Sequence, residues 1–210
     1  MSRTARFWSW FLANEQRYRD LDVPEKEQLL DELQTQLKAF DEDLWFEVGG
    51  SPGGPRELVI SAEGKLAAFP ALRELCKAAP VIPGWTVVSF KQPQGFEFVI
   101  EYEDIVVSPE ATWFLPMISS QQPKLLELRL AFAHFLAHQE RQFLSAAYIM
   151  LEAGLGELAA AEYIAHVEVC LAPSTPEAEG FRTIQELPDY LAQRNDALTP
   201  NTSLERARKG

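Results

Sequence analysis

The chain has 210 residues, 47% of them hydrophobic and 24% charged, the composition of an ordinary folded protein and not of a fibrous or low-complexity one. A formal net charge of −12 sets its average surface against nucleic acid and anionic membranes, which carry the same sign. Two distant cysteines, Cys76 and Cys170, suit free thiols in a reducing compartment, and no apolar run approaches the ~20 residues of a membrane helix.

The N-terminal run FWSWFLA is too short for the apolar part of a secretory signal and is followed by Asn14 and Glu15, so the expected address is the cytoplasm. The spacing of Phe7, Trp8, Phe11, Leu12 and Tyr18 predicts an amphipathic helix from about Thr4 to Arg19. Asp22 and Glu25 have capping-box spacing with Pro24 in the first turn. They predict a second helix with Leu29, Leu30, Leu33, Leu37 and Phe40 as its inner stripe. From Leu44 the period becomes two: Leu44, Phe46 and Val48 alternate with Trp45 and Glu47, and after the loop GGSPGGP, Leu58, Ile60 and Ala62 alternate with Glu57, Val59 and Ser61. These two strands are expected to form a hairpin.

The segment Glu57 to Lys91 reads as strand, helix, strand. Pro70 stands in the first turn of the helix, and Leu72, Leu75, Cys76 and Ala79 make its inner stripe. If its two strands run parallel, the connection is a crossover. Gln92 to Gly95 is expected to turn the chain so that Phe96 to Tyr102 pairs with the preceding strand. Ile105 to Val107 and Trp113 to Ile118 are further strands, the latter suited to an edge by Pro116. Leu126, Leu128, Leu130 and Phe132 define another strand. A third long helix is expected near Gln139 to Ala153, with Phe143, Leu144, Ala147, Tyr148 and Leu151 inward and Gly154 as its C-terminal cap. The chain then passes through LGE and AAA into a last strand with Tyr163, Ala165, Val167, Val169 and Leu171 on its apolar face.

The predicted architecture is α+β: a mainly antiparallel sheet with one parallel crossover pair, packed against three long helices. One domain is expected over 1–172, a linker and short helix over 173–198, and a disordered tail over 199–210. FWSWFLANE, ELVISAEG, the AP followed by a tryptophan and a β-run ending in SFK, and the LGE turn before YIAHVEV stand in this order along the chain. In that order they resemble a family of uncharacterised bacterial proteins, a domain of unknown function, and the likeness extends to Leu171. The resemblance implies a single bacterial domain and carries no activity, cofactor or catalytic residue with it.

Few side chains suggest chemistry. His134 and His138 have the i, i+4 spacing of two metal ligands on one helix face but lack a third, so no metal is expected. His166, Glu168 and Cys170 share one strand face, yet four residues at ~3.3 Å each put the thiol ~13 Å from the imidazole, too far for a catalytic dyad. Glu15 lies within the aromatic stripe of the first helix, either at its rim with Arg19 or in a pocket with a raised pKa. Glu47 and Glu57 are expected to face one another across the first hairpin. GGSPGGP and LGE lack the context of a phosphate loop.

Two classes of function fit. One is a non-enzymatic cytoplasmic binding or protein-interaction protein, with Trp8, Asn14, Glu15, Trp45 and Glu47 as candidate ligand-binding residues. It would show an exposed apolar patch around Trp45 or Trp113. The other is a hydrolase whose acid and base come from Glu15, Glu47, Glu57 and Glu157. No cofactor is expected. The expected partner is a protein or a second copy of the chain, and neither nucleic acid nor membrane.

Overall fold

The computed structural model describes residues 1–50, 54–118 and 125–198, so part of the GGSPGGP loop and the predicted tail lie outside the described residues. The chain divides into two compact units: Met1–Gln92 with Gly156–Ala161, and Pro93–Leu155 with Glu162–Gly210. Each has its own sheet and helices.

In the first unit, Ser2 accepts a hydrogen bond from the Ala5 N–H and caps α1 (Arg3–Asn14), after which Glu15–Tyr18 tightens into a 3₁₀ turn. Phe7, Trp8, Phe11 and Tyr18 are buried as the spacing predicts, but Leu12 is exposed because the helix turns it past the edge of that stripe. α2 (Lys26–Phe40) buries Leu29, Leu33, Leu37 and Phe40. Glu25 is its N-cap without a side-chain cap bond, so the predicted capping box does not form. Asp22 instead donates its N–H to the Asp20 carboxylate in the turn before it.

β1 (Trp45–Gly50) and β2 (Arg56–Ser61) form the expected antiparallel hairpin, and β2 runs parallel to β3 (Trp85–Ser89) after α3 (Phe69–Lys77). Alternation along β2 puts Leu58 and Ile60 into the core with Leu72 and Leu75 of α3, while Phe11 meets Trp85 edge to face at 5.2 Å. The segment 156–161, which begins α5 (Glu157–Tyr163), adds Leu158 and Ala161 to this core.

The second unit holds a small hairpin, β4 (Ile100–Tyr102) with β5 (Ile105–Val107), and a four-stranded sheet in the order β8-β7-β6-β9. Its strands are β6 (Thr112–Ile118), β7 (Leu126–Phe132), β8 (Ile164–Leu171) and β9 (Arg182–Thr183). α4 (Glu140–Leu155) and α6 (Leu187–Leu198) complete the unit. β7 is central and buries Leu126, Leu128, Leu130, Ala131 and Phe132. Pro116 of β6 lies beyond the reach of the two-residue β9, which pairs only with Trp113 and Phe114.

The fold is α+β as predicted. Among the described residues four strand pairs are antiparallel and two are parallel, β2 with β3 and β7 with β8, so there is one parallel pair more than expected and the strands lie in three sheets. Phe96 to Val99 do not pair with β3. The Gln94 N–H bonds to the Ala153 carbonyl and draws this stretch onto the end of α4. Gly154 is inside α4, and the cap position belongs to Gly156 with its φ of 79°. AAA is helical in α5, Tyr163 ends that helix, and only Val167 of β8 is fully buried. Over 173–198, expected to be a linker and a short helix, the helix is present as α6 with Ile184, Leu187 and Leu191 buried, and the stretch before it carries β9 and buries Phe181.

Candidate functional site

Glu15 is reached by the turn that closes α1. Its carboxylate accepts from Arg19 Nε at 2.8 Å, from the Trp85 indole at 2.7 Å and from Gln16 at 2.7 Å, and Arg19 also donates to the Pro83 carbonyl. Burial by itself pushes this carboxyl up. The bonds from Arg19 and Trp85, together with the Arg19 charge, outweigh it and hold the group below its ordinary range. Neither sequence alternative describes it fully: the Arg19 pair is present, with Glu15 buried and Arg19 half-buried, and the carboxyl is lowered where the pocket alternative has it raised. Glu15 is a charged brace between the end of α1 and the start of β3. Trp8 is core, its indole donating to the Leu75 carbonyl, and Asn14 donates back to the Trp10 carbonyl while accepting from Arg17. Trp8, Asn14 and Glu15 therefore do not line a shared open site.

Glu157 is 1% exposed. One carboxylate oxygen accepts the N–H groups of Ala62 at 2.7 Å and Gly64 at 3.2 Å, the other that of Lys91 at 3.1 Å. These donors lie just past the carboxyl ends of the parallel strands β2 and β3. Two non-glycine residues there have left-handed backbone, Glu63 at φ 48° and Phe90 at φ 66°. In open α/β sheets the carboxyl ends of parallel strands receive ligands. Here the chain's own carboxylate fills the place.

On the face of β1-β2-β3 away from the helices, Trp45, Glu47, Glu57 and Thr86 are exposed, Val59 and Val88 half-buried and Ser61 buried. Register puts Glu47 opposite Val59 and Glu57 opposite Gly49, so the two glutamates share a face but stand one diagonal apart, not directly opposed as predicted. Trp45 lies opposite Ser61, and Val59 lies beside Val88 of β3. Trp45 is 37% exposed, with the Lys38 ammonium 4.3 Å from its ring centre, a cation–π contact. Glu47 and Glu57 are exposed, and Glu47 and Glu63 each stand within 4 Å of Lys91 Nζ. The result is an apolar strip of Trp45, Val59 and Val88 flanked by carboxylates.

The remaining candidates separate. His134 is in a turn after β7 and His138 in a 3₁₀ turn, so helical spacing does not apply to them. Among the described residues no three His, Cys, Asp or Glu side chains come together as metal ligands. On β8, Glu168 pairs with Arg129 at 2.8 Å, and Cys170 is free with its thiol pushed up by burial. Burial also pushes Cys76 up to about 12, leaving it unreactive at neutral pH. Trp113 is half-buried on β6. A shallow depression of about 330 Å³ lies between the first 3₁₀ turn and α2, lined by Arg17, Asp20, Val23, Glu25, Gln28 and Leu29. Its rim mixes both signs of charge around two apolar side chains.

No protein-family model matches the chain, and neither a curated protein nor a solved structure matches it. Among the described residues no single helix is long and apolar enough to cross a membrane.

Proposed function

We propose that the chain is a non-enzymatic protein-interaction protein of the bacterial cytoplasm, and that it binds through the face of β1-β2-β3 away from the helices. The observation that carries this reading is Trp45. A large aromatic side chain is more than a third exposed on a regular strand, with the Lys38 ammonium over its ring, a contact that a partner can displace. Exposed aromatics beside apolar strand residues are what interface anchors are made of. The flanking Glu47 and Glu57, with the net charge of −12, fit a basic partner segment that presents an apolar side chain between Lys or Arg residues.

The hydrolase reading has less support. Glu15 and Glu157 hold their carboxylates in hydrogen bonds that a substrate would have to break, and Glu47 and Glu57 stand in open solvent.

The test is site-specific photocrosslinking with benzoylphenylalanine in place of Trp45, with Val81, 97% exposed in the loop before β3, as the control position. One discrete partner should crosslink from position 45 and not from 81. The crosslink should disappear when Glu47 and Glu57 are both changed to Lys. Identical patterns from the two positions would sink the proposal.

A further inference from the structure

β8 is the terminal strand of the second unit's sheet and, among the described residues, is hydrogen-bonded to β7 alone. An edge of this length is a template for another strand, and proteins usually blunt such edges with lysine, proline or a bulge. The sequence IAHVEVCL has neither lysine nor proline. It has one bulge: the register steps from Leu126 opposite Ile164 to Glu127 opposite His166, leaving Ala165 without a counterpart on β7. From His166 onward the edge is regular, and His166, Ala165 and Leu171 are exposed.

The outer face of this edge is patterned by charge. In β7 and β8 the facing pairs are Glu127 with His166 and Arg129 with Glu168, the latter a 2.8 Å ion pair. When two copies of a strand pair antiparallel in one sheet, the twofold axis is normal to the sheet and passes midway between the two copies of one residue, the residue that names the axis. Facing residues then keep the same face. An axis through Glu168 sets Glu168 against Glu168, a like-charge contact that destabilises pairing. An axis through Val169 sets Glu168 against Cys170 and leaves the charge unanswered. An axis through Val167 sets His166 against Glu168 twice. Each transverse row then reads Glu127, His166, Glu168 of the second copy, Arg129 of the second copy, alternating from acceptor to donor across four strands. An imidazole N–H donates to a carboxylate whether the ring is neutral or charged. On the other face this register stacks Val167 on Val167, and by symmetry the bulge at Ala165 bounds the ladder at both ends, which keeps it a few residues long.

We propose that β8 is a self-association edge, and that two copies of the chain join β8 to β8 about a twofold axis through Val167. This edge lies in the second unit and stands independently of the sheet-face partner proposed for the first.

The experiment is light scattering on the full chain, followed by charge exchange. The wild-type chain should have the mass of a dimer at high micromolar concentration. H166E sets a second carboxylate against Glu168 and should weaken the dimer by tenfold or more, while H166K, which keeps the attraction, should retain it. E168K alone should also be monomeric. An equimolar mixture of H166E and E168K should form a heterodimer, seen by native mass spectrometry, because each variant then supplies what the other lacks. Circular dichroism and the thermal midpoint check the fold of each variant. His166 is exposed, so H166E against H166K still decides should E168K unfold beside Arg129. A monomeric wild-type chain at high concentration, or an H166E variant as dimeric as H166K, overturns the proposal.

Discussion

The Glu157 carboxylate accepts the backbone N–H of Ala62 at 2.7 Å across 95 residues of sequence. With Gly64 and Lys91 it satisfies three N–H groups just past the ends of two parallel strands, where the strand ladder has stopped supplying acceptors. Removing the acceptor strands the buried Ala62 N–H, breaks the part-buried bonds from Gly64 and Lys91, and leaves a cavity where the side chain was. Glu157→Ala should therefore cost about 3 kcal/mol or more, and Glu157→Gln about 1–2 kcal/mol, because the amide keeps one acceptor and turns a donor towards the rest. Glu63→Gln, exposed nearby, should stay within about 0.5 kcal/mol. Urea midpoints of the three variants measure this. A Glu157→Ala midpoint equal to that of Glu63→Gln would show that the N–H groups find other partners.

Glu15 supplies a pH-dependent stabilisation with a definite sign. Burial pushes its carboxyl up, but the bonds from Arg19 and Trp85 and the Arg19 charge outweigh that push and hold the folded group below the ordinary value of 4.5. Its contribution is therefore complete above the unfolded value and is lost as pH falls through the folded one. At neutral pH Glu15→Gln should cost about 2 kcal/mol, the scale of hydrogen bonds to a charged group. The gap between wild type and Glu15→Gln in urea midpoint should stay constant from neutral pH to about 5 and close as pH falls below it. A gap that widens in acid would mean that Glu15 is protonated more readily in the folded chain.

How much of this was legible depends on how local each signal is. Leu29, Leu33, Leu37 and Phe40 repeat with the helix, and Leu58 and Ile60 with the strand, so both stripes and the parallel unit from Glu57 to Lys91 could be read directly. ELAAAEY could have been read too: it is a run of strong helix formers, and α5 follows propensity where alternation in the next residues suggested a strand. Glu157 could not. Locally it is one glutamate after a glycine, and its three partners lie 66 to 95 residues away.

The candidate site was half visible for the same reason. Trp45 and Glu47 stand on the face away from the helices as strand alternation implies, whereas the diagonal offset of Glu47 from Glu57 depends on hairpin register, which a glycine-rich loop does not fix. The role of Glu15 needed Trp85, brought beside it by the tertiary fold. Trp8 carried no sign in its spacing to tell core from ligand site, because both lie on the inner stripe of a helix.

Gly154 gives a last prediction, one whose sign depends on a single neighbour. It lies in the final turn of α4, where a helix would ordinarily gain about 1 kcal/mol from Gly→Ala. A Cβ built there would stand 2.2 Å from the buried Phe96 ring, and that contact forces the ring or the helix to move. Overpacking of this kind costs about 1–3 kcal/mol, so Gly154→Ala should destabilise the chain despite its better propensity. In a Phe96→Ala background the obstruction is gone and the same substitution should stabilise. Thermal unfolding of the two single variants and the double variant completes the cycle. If Gly154→Ala stabilises the wild-type chain, the glycine is not there to admit Phe96.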